Sequence, residues 1–148
     1  MNILDCFVEN LKDLMFDNQM STKDLSNNLN LTLSQCQRYL RKANLPTFST
    51  IVKIADYFNC SIDYMLGLAP YLIDDKLNYT PPFNVTFTQM LTNHGITRYQ
   101  IHKALHISTY ALSNWYHGER TPTIDSVMRL AEYFDCTIDT LLDRDYRK

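Results

Sequence analysis

The chain has 148 residues, 45% of them hydrophobic and 20% charged, with a net charge of −2 at neutral pH. That composition is ordinary for a globular protein, and no apolar run approaches the ~18 residues that a membrane span needs. The mildly acidic balance counts against nucleic-acid binding, whose domains are often basic, unless the cations cluster on one face.

Taken in chain order, Leu4, Phe7, Val8, Leu11, Leu14 and Met15 recur at three- and four-residue spacing and predict a first helix over about residues 3–18. Ser21-Thr22 offers an N-cap for a second helix over roughly Lys23–Leu29, with Leu25 and Leu29 inward. Thr32-Leu-Ser-Gln35 is a capping box, a hydroxyl facing the amide three residues on, and opens a third helix over roughly 33–42. Pro46-Thr47 starts a fourth helix with Ile51, Ile54, Ala55 and Phe58 on its apolar face. Ser61 caps a short fifth helix ending near Gly67, and Asp63 sits in its first turn, where negative charge suits the helix dipole.

The segment Ala69–Pro82 has proline at positions 70, 81 and 82, which argues against a continuous helix. Its Tyr71, Leu72 and Ile73 are too apolar for a bare tether and are expected to pack on a flanking domain. From Phe83 the pattern starts again. A helix over about 83–94 stops at Gly95, Thr97-Arg-Tyr-Gln100 is a second capping box, and Ser108 opens a helix that ends at Gly118. Thr123 and Thr137 cap the last two helices.

The recurrence is a repeat. Ala55-Asp-Tyr-Phe-Asn-Cys-Ser-Ile-Asp63 returns as Ala131-Glu-Tyr-Phe-Asp-Cys-Thr-Ile-Asp139, a shift of 131 − 55 = 76 residues that holds without a gap back to Phe7 and Phe83. A unit this long is a whole small domain. The expected fold is all-α, two tandem five-helix domains: residues 1–68, a linker over 69–82, and residues 83–148. Each is near the size at which a lone core becomes marginal.

Two short helices joined by a tight turn inside such a bundle describe the helix-turn-helix design. The turn after the second helix requires a left-handed residue, usually Gly; Asn30 and His106 stand there, and both types tolerate it. Asn59 and Asp135 make the same substitution before the fifth helix. Further along, the second copy carries Ile107-Ser108, Leu112-Ser113-Asn114-Trp115, His117-Gly118-Glu-Arg-Thr-Pro122 and Leu130-Ala131-Glu-Tyr-Phe134. The first carries Ile51-Val-Lys-Ile-Ala-Asp-Tyr-Phe-Asn-Cys-Ser-Ile-Asp-Tyr-Met-Leu-Gly67. These stretches resemble the lambda-repressor/Cro-like (XRE) family of helix-turn-helix regulators over about 19–68 and 95–143. Three positions depart from that pattern. The small residue of mid-helix 2 is Ser26 in one copy but His102 in the other; Leu40 and Tyr116 replace an acidic residue near the end of helix 3; and Lys42 stands where the second copy has Gly118.

The resemblance implies DNA-binding residues, position by position. Leu33, Ser34, Gln37 and Arg38 in the first copy, and Thr109, Tyr110, Ser113 and Asn114 in the second, would face base edges. Gln37 and Asn114 suit adenine, Arg38 suits guanine, and Leu33 suits a thymine methyl. Phosphate contacts would come from helix N-termini and nearby cations: Thr22, Lys23, Thr32, Arg41, Lys42 and Thr47, then Thr97, Arg98, Ser108, His117, Arg120 and Thr123. Lys23, Arg38, Arg41 and Lys42 cluster on that side, while Asp5, Glu9, Asp13 and Asp56 are expected elsewhere.

The remaining residues read plainly. Cys6, Cys36, Cys60 and Cys136 have no metal-ligand spacing and are expected as buried, reduced thiols. His102 and His106 are four apart, but His106 falls in the turn and no third ligand is near, so neither metal nor cofactor is expected. Trp115, Phe58 and Phe134 read as core. Tyr57 and Tyr133 fall off the buried face, where half-buried packing is the ordinary outcome and a homodimer or partner contact through helices 4 and 5 the other. A phosphate-cradling glycine loop, a nucleophile elbow and an HExxH motif are all absent from the sequence, so no enzyme is expected.

The expected function is a cytoplasmic, sequence-specific regulator of transcription, a repressor, whose partner is double-stranded DNA. The stretched linker would reach roughly 46–50 Å, enough for two recognition helices one DNA turn apart, ~34 Å. The alternative is a protein-interaction module of antitoxin or anti-repressor type that keeps the fold with weakened DNA binding.

Overall fold

The computed structural model describes residues 2–69 and 79–144. The described residues form ten helices and no strands, and the chain divides between Lys76 and Leu77 into two units. The expected packing of Tyr71, Leu72 and Ile73 lies outside the described residues.

The first unit holds α1 (Ile3–Asp17), α2 (Thr22–Leu29), α3 (Leu33–Leu40), α4 (Phe48–Phe58) and α5 (Ile62–Met65). The second holds α6 (Phe83–His94), α7 (Arg98–Leu105), α8 (Thr109–His117), α9 (Ile124–Tyr133) and α10 (Ile138–Leu141). In all but one, the helix begins where a side-chain oxygen accepts the amide three residues on, so a donor that helix geometry orphans is satisfied locally. The exception is α6, which opens at Pro82 with no such bond.

Several helix ends depart from expectation by a residue or two, and at two of them the cause is visible. Helix α2 begins at Thr22 because Ser21 is its cap, in a third capping box with Asp24 that sequence reading passed over. Helix α3 stops at Leu40 rather than near 42: Arg41 is its C-cap and Lys42 turns left-handed, φ 62°.

The left-handed residues show why the repeat holds without a gap. Every positive-φ residue among those described has its repeat partner: Gln19 with Gly95, Asn30 with His106, Lys42 with Gly118, Asn59 with Asp135, and Gly67 with Asp143. Each reverses the chain after a helical segment. Only three of these positions use glycine; elsewhere a polar side chain tolerates a conformation that costs most L-residues about 1–2 kcal/mol. At Gly67 space adds to the demand, since a Cβ would lie 2.5 Å from Cys6 Sγ.

In the first unit Phe7, Leu11, Leu25, Ile51, Ile54, Ile62 and Met65 are fully buried. Helix α1 closes on α5, where Asn10 Nδ2 donates to the carbonyls of Tyr64 (2.9 Å) and Met65 (3.3 Å), groups the short helix cannot pair itself. In the second unit Trp115 anchors α8 to α6, edge-on to Phe83 and Phe87 at 6.1 and 5.9 Å. Arg144 is fully buried there and pairs with Asp139, where the first unit has Leu68 standing half exposed.

Three packing expectations need correction. Phe58 is half-buried, because α4 turns it toward Tyr57 at the helix end. Cys6 and Cys136 are also only half-buried, whereas Cys36 and Cys60 are buried; all four are free thiols. Burial pushes the Cys36 thiol up from its ordinary value.

Candidate nucleic-acid interface

In each unit the second helix packs on the third, α2 on α3 and α7 on α8. The turn between them is built alike from different side chains. Ser26 Oγ donates to the carbonyl of Leu31 at 2.6 Å, and His102 Nδ1 meets the carbonyl of Ile107 at 2.7 Å. A carbonyl only accepts, so that imidazole nitrogen carries a proton. The bulky His102 therefore reproduces the small residue's bond instead of prying the helices apart. Asn30 and His106 take the expected left-handed geometry. In the second unit Arg129, from α9, also donates to the carbonyl of Leu105 at the end of α7.

The four side chains assigned to base edges in the first unit, Leu33, Ser34, Gln37 and Arg38, are all exposed along one side of α3. The opposite side buries Cys36 and Tyr39. In the second unit Thr109 and Tyr110 are exposed, Ser113 is half-buried, and Asn114 is only 7% exposed. The outward placement of Asn114 is thus corrected. The amides of Glu119 and Arg120 donate to its main-chain carbonyl, at 2.9 and 3.4 Å, as the Ala43 amide does to that of Arg38 at 3.0 Å. At the equivalent position of the first unit Arg38 is exposed.

The capping residues Thr32, Thr47, Thr97, Ser108 and Thr123 each accept an amide three residues on. Their oxygens are therefore occupied, and what each helix end offers an anion is the amides of its first two residues, together with positive dipole. Thr22, expected among the phosphate contacts, supplies one such amide as the first residue of α2.

The cations divide into ready and engaged. Lys23, Arg38 and Arg120 are exposed; Arg41 is exposed too, with its Nε donating to the Gln37 carbonyl at 3.4 Å. Arg98 is half-buried, its guanidinium 4.2 Å from the centre of the Tyr116 ring, so Tyr116 holds a cation where an acidic residue was expected. Lys42 Nζ lies 3.3 Å from Asp5 Oδ1, which corrects the placing of Asp5 away from this side. The pair is surface-exposed and worth about 0–1 kcal/mol, easily exchanged for a phosphate. His117, the last residue of α8, is exposed beside Tyr116.

One neighbouring cation was missed. Lys12 of α1 lines a cleft of about 530 Å³ with Thr22, Gln37, Leu40 and Arg41. Its repeat partner is Thr88, so the repeat gave no signal for it.

The acidity of the chain resolves by position. Residues 22–42 hold Lys23, Arg38, Arg41 and Lys42 against Asp24 alone, and residues 98–120 hold Arg98, Lys103 and Arg120 against Glu119 alone. Every other acid lies outside these two segments. Away from this face, Tyr57 and Tyr133 are 44% and 37% exposed, and Tyr57 Oη accepts from Asn28 Nδ2 at 3.0 Å. Among the described residues no helix is long and apolar enough to cross a membrane.

A family model for the Cro/C1-type helix-turn-helix DNA-binding domain matches twice, over residues 10–69 and 86–145. The chain is similar to the HTH-type transcriptional activator BcrR of Enterococcus faecalis, 33% identical over 60 residues, which is 40% of this chain and 29% of that protein. No solved structure matches it significantly.

Proposed function

The chain belongs to the Cro/C1-type helix-turn-helix DNA-binding family in both of its units, and we propose that it represses transcription by laying α3 and α8 in the major groove of duplex DNA. It is a DNA-binding regulator and not an enzyme, as this family implies. The observation that carries the reading is the exposed side of α3: Leu33, Ser34, Gln37 and Arg38 on a capped helix, with Lys23, Arg41 and Lys42 exposed in the same helix-turn-helix segment of an otherwise acidic unit. The acidic balance that favoured a protein-interaction module lies outside both helix-turn-helix segments, which leaves that alternative weaker.

Repression is the finer part of the proposal. Two groove-filling units on one chain suit occlusion of a promoter, and one chain supplies both without a second copy. The test is selection of random-sequence duplexes on the purified chain, then a reporter with the selected site overlapping a promoter. An enriched motif and lowered transcription support the proposal. No retained duplex removes DNA binding, and raised transcription removes repression.

A further inference from the structure

The two reading surfaces are unequal in kind. In the first unit Gln37 and Arg38 are exposed on α3, and each can make two hydrogen bonds to a single base edge, glutamine to adenine and arginine to guanine. Their repeat partners in the second unit are Ser113 and Asn114. Ser113 has one hydroxyl and is half-buried; Asn114, the one residue there able to bond twice, is 7% exposed. What α8 presents instead is Thr109 and Tyr110, the tyrosine 69% exposed, and single hydroxyls bond indifferently to several bases or to phosphate. Backbone grip is retained: Arg98 is held on Tyr116, Arg120 is exposed, and Ser108 caps α8 so that its first amides face outward.

Resting on the DNA-binding reading above, we propose that this chain recognises an asymmetric operator. Base selection is concentrated in the half-site under the first unit, with Arg38 and Gln37 as the specificity-determining residues. The second unit grips the neighbouring duplex largely without regard to sequence. The chain is then a reader joined to an anchor, and not a pseudo-symmetric pair of readers. A symmetric palindrome is not its best site.

The experiment uses the full chain. Random-sequence duplexes are selected on it, and the winning site is titrated by fluorescence anisotropy with each half scrambled in turn. The expected motif has one sharply defined half and one degenerate half. Scrambling the sharp half weakens binding by about 100-fold, as two double-hydrogen-bonded contacts of roughly tenfold each require; scrambling the other costs less than about fivefold. Arg38→Ala and Gln37→Ala each flatten one position of the sharp half. Tyr110→Ala and Arg98→Ala weaken matched and scrambled duplexes alike, and Arg98→Ala lowers the salt slope by about one. Circular dichroism confirms that each variant keeps its helices. Two equally defined halves, or an informative position lost in Tyr110→Ala, would overturn the asymmetry while leaving DNA binding standing. A chain that retains no duplex at all loses both.

Discussion

A hydroxyl in one unit and an imidazole in the other donate to the same carbonyl across the same turn. Removing the first, Ser26→Ala, leaves the part-buried carbonyl of Leu31 without its partner, at about 1–3 kcal/mol. The first unit's Tm should fall by roughly 5–15 °C in a thermal melt. His102→Ser installs the other unit's solution and should cost under ~1 kcal/mol; a loss as large as that of Ser26→Ala would show that the ring supports the turn by bulk instead. Gly67→Ala faces both a positive φ and Cys6 Sγ, and should destabilise by about 2 kcal/mol or more, with Cys6→Ala recovering part of it in denaturant titrations. At this scale the sequence was readable where a residue acts through its own backbone, as Asn30 and His106 do. It was not readable where exposure depends on the surrounding fold. Asn114 has suitable chemistry for adenine, but the fold leaves it only 7% exposed, which a motif does not record.

Among the helices, the ends carry most of the specification. In α2 the Asp24 carboxylate accepts the Ser21 amide at 3.0 Å while the Ser21 hydroxyl accepts the Asp24 amide at 3.1 Å. The bond from the Ser21 backbone, and then its hydroxyl, hold the Asp24 carboxyl below its ordinary value. A folded-state value below the unfolded one means stabilisation that is fully present above the unfolded value, about 3.9, and lost as pH falls through the lower folded value. Asp24→Asn should therefore lower stability at neutral pH, and its difference from wild type should vanish in acid; a difference unchanged below pH ~3 would refute the linkage. The reversals offer a gain. Asn30→Gly and His106→Gly should each stabilise by up to ~1 kcal/mol, and Asn30→Ala should cost about as much, as read from chemical denaturation. Helices and caps were legible because period and capping chemistry are local. The end of α3 was less so, since Lys42 is an unusual left-handed residue and only its repeat partner Gly118 marks the turn.

For the whole chain, each unit has its own buried core, so calorimetry should resolve two transitions, and residues 1–76 and 77–148 made separately should both fold. Separated units should bind a winning operator at least ~100-fold more weakly than the joined chain, because the linker supplies the effective concentration; equal affinity would mean that only one unit engages DNA. The tandem architecture was legible from the repeat alone, whereas the inequality of the two reading faces was not. The pairing of Arg144 with Asp139 adds a practical boundary to any such dissection. Because the guanidinium has no exposed surface, trimming the chain after Asp143 removes a buried partner of Asp139 and should lower the second unit's Tm in a thermal melt. An expression fragment ending at the last turn of α10 would weaken the fold of its own C-terminal half, and its failure to bind DNA would say nothing about recognition.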